Sequence, residues 1–204
     1  MTHLRKILEQ GLLELHLELS PDKIKQLLDY LALLQKWNKV YNLTAITNPT
    51  DMIILHLLDS LSIISHLQGQ TFLDVGTGAG LPGFMLAIAR PNWEVTLLDS
   101  NAKKTRFLIQ TMAELQLQNV KVVCSRIEQW KTEQKFDVIT SRAYSDLQLF
   151  CEQCLPLCAP SGQLVAMKGK LPADELKTIR NYQVIPLNVP HLAQERHLIC
   201  ISAK

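Results

Sequence analysis

The chain has 204 residues, 47% of them apolar, with a formal net charge of +2 and five cysteines. That length and apolar content suffice for one substantial core with a small appendage, and the near-balanced charge excludes an overtly polybasic domain, so a polyanion must meet a local patch. No apolar run approaches the roughly 18 residues of a membrane span, residues 1–11 lack the apolar block of a signal peptide, and the odd, scattered cysteines point to reduced thiols; a cytoplasmic protein with no membrane partner is expected.

From Leu4 to Leu67 apolar residues recur at helical spacing, and the punctuation predicts three helices. In "SPDKIKQLLDYLALLQKW", Ser20 is a natural N-cap and Pro21 a natural first residue, with Ile24, Leu27, Leu28, Leu31 and Leu34 on one face. A third helix is expected after "TNPTD", through "MIILHLLDSLSIISHL", to a stop at Gly69. Beyond Gly69 the pattern changes. Thr71 to Val75, Val95 to Leu98, Val120 to Val123, Phe136 to Thr140 and Gln163 to Met167 read as strands, alternating with helical patterns at Leu81 to Arg90, Ala102 to Leu115 and Asp146 to Leu157. Such alternation predicts a doubly wound parallel sheet. Tyr182 to Val189 and His197 to Ser202, joined by "PHLAQE" without room for a crossover helix, should pair antiparallel at one edge. Residues 1–68 are thus expected to be an N-terminal helical extension and 69–204 the main domain.

The first strand leads into "LDVGTGAGLPGF", with four glycines in eight residues after Asp74. In a doubly wound sheet this turn lies closest to the ligand, and glycine is needed where a Cβ would hold the backbone off. Gly78, Gly80 and Gly83 satisfy the dinucleotide pattern G-x-G-x-x-G, and Asp99 lies where its ribose-binding acid would be. Against a dinucleotide, the pattern starts four residues after Asp74, and Pro82 removes an N–H that a pyrophosphate would use. The competing ligand, S-adenosylmethionine, carries an amine and no phosphate. On that reading Asp74 faces the aminoacyl part, Gly76, Gly78, Gly80 and Leu81 wrap the ligand, and Asp99 accepts from the ribose hydroxyls.

"DVGTGAGLPG", "LLDS", "SRIE", "SRA" and "MKG", preceded by "WNKVYNLT" and "HLLDSL", resemble the glucose-inhibited division protein B family of bacterial small-subunit ribosomal RNA guanine-N7 methyltransferases, in one order from about Trp37 to Lys170 and again at "ERHL". The resemblance implies a Rossmann-like class I S-adenosylmethionine-dependent methyltransferase fold: a mostly parallel seven-stranded sheet with an antiparallel edge and a small N-terminal helical extension. It puts Gly76 and Leu81 against the donor, Ile127 and Glu128 at its adenine, and Arg142 beside it. It names the acceptor as N7 of guanine 527 of 16S ribosomal RNA in the usual bacterial numbering, met as naked RNA, an assembly particle or the small subunit, with no DNA and no metal.

Basic residues also follow successive strands: Lys103, Lys104 and Arg106 after the second, Arg126 after the third, Arg142 after the fourth, Lys168 and Lys170 after the fifth. In a parallel sheet they converge on the rim that carries the glycine turn, which implies an anionic substrate, RNA ahead of a small acidic metabolite. Arg196 of "ERHL" joins the expected RNA-binding set. The Asn/Asp-Pro-Pro-aromatic sequence common to enzymes that methylate exocyclic amines is replaced by Ser141, Arg142, Ala143, Tyr144, and Cys124 lacks the proline neighbour of a pyrimidine-carbon nucleophile. Guanine N7 needs neither device, because its lone pair is exposed and no proton leaves before transfer. Arg142 is expected to position the base, with Tyr144 or the backbone after Met167 as further contacts.

Three constellations carry rival readings. Cys151, Cys154 and Cys158 are expected on one helical face as core residues rather than as metal ligands. His56, Asp59 and Ser60 are unsuited to a hydrolase triad; His56 and Asp59 either pair at the junction with the sheet or face the substrate. Trp37, Tyr41 and Asn42 either stack on RNA or fasten the second helix. Two further functions stay open: a methyltransferase of the same fold acting on a small anionic metabolite, and an RNA- or partner-binding module whose donor pocket has decayed.

Overall fold

Helix α1 spans Thr2–Glu14 and α2 spans Pro21–Tyr41, with Ser20 Oγ accepting from Lys23 N at 3.4 Å and Pro21 in the first turn, as the punctuation requires. These positions come from a computed structural model that describes residues 2–142, 144 and 146–203. The third helix begins earlier than expected. Asn48 Oδ1 accepts from the amides of Thr50 and Asp51, so α3 (Pro49–Met52) starts inside "TNPTD". It runs into a π-helical stretch, Ile53–Leu58, then α4 (Asp59–Leu61) and a 3-10 turn at Ile64–His66.

The sheet follows: β1 Thr71–Val75, β2 Glu94–Asp99, β3 Val120–Cys124, β4 Phe136–Ser141, β5 Cys158–Lys168, β6 Tyr182–Pro186 and β7 His197–Ser202. The connecting helices are α5 (Gly83–Ala89), α6 (Ala102–Glu114) and α7 (Leu147–Cys154), with a short α8 (Ala173–Leu176) that the sequence pattern did not announce. Strand order is β3-β2-β1-β4-β5-β7-β6. The first five strands are parallel, and β7 lies antiparallel between β5 and β6. The expected antiparallel pair therefore forms, with its first strand ending at Pro186 instead of Val189.

Alternation along each strand divides the core in two. Phe72, Val95, Leu97 and Val138 face one cluster with α1, α2, α5 and α6; Leu73, Leu98, Ile139 and Leu164 face the other with α7 and α8. Right-handed crossovers from β1 outward put α5 and α6 on one face, and the crossover from β4 to β5, running the opposite way, puts α7 on the other. The reversal falls between β1 and β4, which makes their carboxyl ends the topological switch point.

The N-terminal helices complete the first face. Lys23 Nζ donates to Ala89 O at 3.0 Å, Gln26 to Leu115 O at 2.9 Å, and the buried Tyr30 hydroxyl to Ala79 O at 2.8 Å, so α2 runs from the foot of α5 up to the glycine turn. Trp37 then packs on Phe107 of α6, with ring centroids 5.7 Å apart, and stacks on Tyr41. Fastening is the role the contacts give it. Cys151 and Cys154 are buried on α7, but Cys158 opens β5, because a 3-10 turn at Leu155–Leu157 ends the helix; the three share one apolar cluster without sharing one helical face. Among the described residues no helix is long and apolar enough to cross a membrane.

Candidate active site

The turn after β1 directs its amides at the protein itself. Gly76 N and Thr77 N donate to Leu98 O, Gly78 N to Asp99 Oδ2, Gly80 N and Leu81 N to Thr77 O, Gly83 N to Asp74 Oδ2 and Phe84 N to Gly80 O. Ala79 alone of the stretch 76–84 keeps an amide without such a bond among the described residues, and Pro82 has none to give. The start of α5 therefore lacks the row of bare N–H groups that a pyrophosphate requires. On its open side the turn is bordered by the Asp99 carboxylate at the end of β2.

The glycines divide by role. Gly76 has φ +66°, and a Cβ built on it meets nothing within 4 Å, so its bare face opens on free space. Gly80 and Gly83 are packing glycines. A Cβ on Gly83 would come within 2.1 Å of Leu97 and 2.9 Å of Asp74 Oδ2, and one on Gly80 within 2.2 Å of Phe84. Half the glycine richness of the motif thus serves close helix–strand packing rather than a ligand.

Gly76 and Asp99 border an open cavity of about 420 Å³, together with Leu98, Lys104, Arg126, Ile127, Glu128 and Tyr144. Asp99 is buried, fixed by Gly78 N and by Asn101 N at 2.8 Å, with Lys104 Nζ 3.9 Å away. Ile127 is buried in a 3-10 turn after β3, and Glu128 is exposed, 3.8 Å from Arg126. Asp74 lies outside this lining. Its Oδ2 accepts from Thr77 Oγ1 at 2.6 Å and Gly83 N at 2.8 Å, and burial, opposed by those two hydrogen bonds, raises its carboxyl to about 6. Through Oδ2 it braces the turn after β1, while the expectation that it faces the aminoacyl part of the donor concerns its other oxygen, Oδ1, which is buried. Gly78, Gly80 and the buried Leu81 likewise form the turn behind the cavity wall.

A second cavity, of about 330 Å³, sits beside the first over β4 and β5, lined by Ile46, Leu55, His56, Asp59, Arg142 and Met167, and by 168–169 and Arg196. Arg142 was expected beside the donor. It lines this second cavity, where its NH1 donates to Leu55 O at 3.1 Å and stands 3.6 Å from Asp59 Oδ2. Arg196 Nε donates to Asp59 Oδ1 at 3.0 Å. The pairing of His56 with Asp59 does not form: His56 Nε2 meets Thr44 Oγ1 at 3.0 Å, and burial and the Arg142 charge push its imidazole down to about 4. Asn38 grips Thr44 through both its amide atoms, Thr44 O at 3.0 Å and Thr44 N at 2.8 Å. The polar end of "WNKVYNLT" thus fixes the loop that orients His56.

A chain match decides the family. The model for rRNA small subunit methyltransferase G, named GidB, matches residues 23–199. The chain belongs to that family. Its relatives include the ribosomal RNA small subunit methyltransferase G of Nitrosococcus oceani, 52% identical over 197 residues covering 95% of this chain and 92% of the relative. The protein of that name from Methylobacillus flagellatus is 47% identical over 199 residues, 97% of each chain. Among solved structures, a SAM dependent methyltransferase from Aquifex aeolicus superposes with a TM-score of 0.54 at 21% identity, covering 72% of this chain and 92% of that one. M. jannaschii TYW2 in complex with AdoMet gives 0.53 at 14% identity, over 70% and 72%. These likenesses carry the class I methyltransferase fold that the strand order exhibits.

Within the family fold, the basic residues do not act alike. Lys103, Arg106, Arg126 and Lys170 are exposed along the rim. Lys168, expected among them, pairs within the protein: its Nζ is 3.1 Å from Glu175 Oε2 and from Tyr144 O. Ala143 of "SRA" lies outside the described residues. Asp59 was the residue whose partners sequence reasoning missed, since both arginines come from more than eighty residues away; the recurrence of "HLLDSL" within the resemblance was the available signal.

Proposed function

We propose that the protein transfers the methyl group of S-adenosylmethionine to N7 of a guanine in 16S ribosomal RNA, guanine 527 in the usual bacterial numbering. The observation that supports this reading is the pair of cavities flanking the β1/β4 switch point, the first with the Asp99 and Glu128 carboxylates beside the bare face of Gly76, the second with Arg142 and Arg196 around Asp59 and apolar side chains. The first suits a ligand with an amine and ribose hydroxyls and no phosphate. When bound there, S-adenosylmethionine supplies a sulfonium methyl group whose departure leaves a neutral thioether. On this reading Asp99 accepts from the ribose, Ile127 and Glu128 flank the adenine, and Asp74 keeps the turn in shape from behind, with Gly78, Gly80 and Leu81 completing it. Arg142 and its neighbours hold the acceptor base in line with the methyl, and the gain is positional, because N7 has its lone pair exposed and asks for no general base or metal.

Lys103, Lys104, Arg106, Arg126 and Lys170 form the track for the RNA backbone, and Arg196 faces the base. Residues 1–68 act as an extension to a methyltransferase domain of 69–204. The substrate places the enzyme in the cytoplasm, on RNA, an assembly particle or the small subunit. A small anionic metabolite would have no use for basic residues so far along the rim. Incubation with labelled donor and unmodified small-subunit RNA or particles, followed by nucleoside analysis, should yield N7-methylguanosine; its absence from all of them would refute the proposal.

A further inference from the structure

The second cavity shows a base mainly hydrogen-bond donors. Asp59 is buried, and each of its oxygens already faces a guanidinium, Arg196 at 3.0 Å and Arg142 at 3.6 Å. Backbone carbonyls hold the same two side chains from behind, Leu55 O for Arg142 at 3.1 Å and Glu195 O for Arg196 at 2.9 Å. Among the described residues these bonds engage one nitrogen of Arg142 and two of Arg196, so each planar fork retains N–H groups with no protein acceptor. One carboxylate between two guanidiniums leaves an excess of positive charge, which Lys168 does not change because Glu175 neutralises it.

Beside N7, guanine carries O6, a second acceptor, where adenine carries the donor N6–H2. A donor placed on N7 would occupy the lone pair that must attack the methyl carbon. The productive pose therefore puts an arginine N–H on O6 and leaves N7 bare, with Ile46, Leu55 and Met167 as apolar walls.

We propose that Arg142, held in orientation by Asp59 and seconded by Arg196, reads O6 of the acceptor base, so that the pocket selects guanine by its oxygen and not by its 2-amino group. Asp59 is then a positioning residue supplied by the N-terminal helical segment. The inference rests on the methyltransferase reading above.

Two purines separate the possibilities. Hypoxanthine keeps O6 and lacks the 2-amino group; 2-aminopurine does the reverse. Small-subunit RNA carrying guanine, hypoxanthine or 2-aminopurine at the target position, assembled into particles, is assayed with labelled donor, each rate divided by the uncatalysed reactivity of that N7 toward dimethyl sulfate. Hypoxanthine should be methylated within a few-fold of guanine and 2-aminopurine about tenfold to a hundredfold more slowly, the discrimination one well-placed side-chain pair gives. Equal rates for 2-aminopurine and guanine, or loss of activity on hypoxanthine, would overturn the inference while leaving the methyltransferase reading intact; no transfer to guanine would instead sink that reading. Arg142→Ala should bring the hypoxanthine-to-2-aminopurine ratio toward one with donor affinity by calorimetry unchanged. Asp59→Asn should lower kcat and narrow the same ratio, and the double variant should be no worse than Arg142→Ala alone. Additive losses would remove Asp59 from the role; if Asp59→Asn does not fold, the analogue ratio of Arg142→Ala decides on its own.

Discussion

Two glycines of one turn should fail in opposite ways. At Gly83 an added methyl group would lie 2.1 Å from Leu97 and 2.9 Å from Asp74 Oδ2, inside a buried contact between α5 and the sheet. Overpacking of that kind costs about 1–3 kcal/mol. In a chain of this length Gly83→Ala should therefore lower Tm by about 4–8 °C for a 2 kcal/mol loss. At Gly76 the same methyl group meets no protein atom within 4 Å, and the cost to folding is the left-handed backbone at φ +66°, about 1 kcal/mol. The methyl group would, however, stand in the space where the donor lies against bare backbone. Gly76→Ala should thus stay folded and bind S-adenosylmethionine at least about tenfold more weakly, ~1.4 kcal/mol. Thermal unfolding and titration calorimetry on both variants make the comparison. Donor affinity of the wild-type value in Gly76→Ala would show that nothing binds against that Cα and would refute the assignment of the first cavity.

Protonation gives a second test. Asp74, raised to about 6, holds a proton in the folded state that the unfolded chain has lost, so its contribution to stability falls as pH rises from about 4 to 6; His56, lowered to about 4, makes stability fall as pH drops from about 6.5 to 4. The two slopes oppose each other, each worth ~3 kcal/mol over its window. Asp74→Asn, which keeps acceptors for Thr77 and Gly83, should steepen the acid loss in urea unfolding between pH 4 and 6.5, and His56→Gln should flatten it. Arg142→Ala should remain folded, because Asp59 keeps Arg196, and lose most methyl transfer; near-normal turnover would remove Arg142 from the site. Neutralising exposed Lys103, Arg106 or Arg126 should weaken RNA binding and reduce the slope of log K against log salt by about one for each phosphate that then goes without a cation. A Lys168→Ala variant should leave that slope unchanged, since its charge is already paired with Glu175.

The sheet was legible because its signals are local. Alternating short apolar runs and helical stretches give the strands within a residue or two for β1 to β4, and Ser20 with Pro21 marks the start of α2. The π-helical turn at Ile53–Leu58 was not legible, since its residues are ordinary helix formers and the extra residue per turn is set by packing. Charge partners were equally hidden. Lys168 reads as one more basic strand end until Glu175 is seen beside it, and Asp59 as a lone acid until folding brings Arg142 and Arg196 to it. The glycine motif marked the turn at the switch point, but could not separate the glycine with an open face from those that pack; that distinction resides in Leu97, Asp74 and Phe84, the side chains facing them.

ATP and the nicotinamide dinucleotides are built on adenosine, as S-adenosylmethionine is, but carry phosphates. Because the amides after β1 are nearly all engaged by Leu98, Thr77, Asp99 and Asp74, such competitors find no cradle of backbone N–H groups for their phosphates there, only the side chains of Lys104 and Arg126 beside the Asp99 and Glu128 carboxylates. The fold's own internal bonding thereby withholds the backbone donors on which a pyrophosphate depends, before any contact with the sulfonium is made.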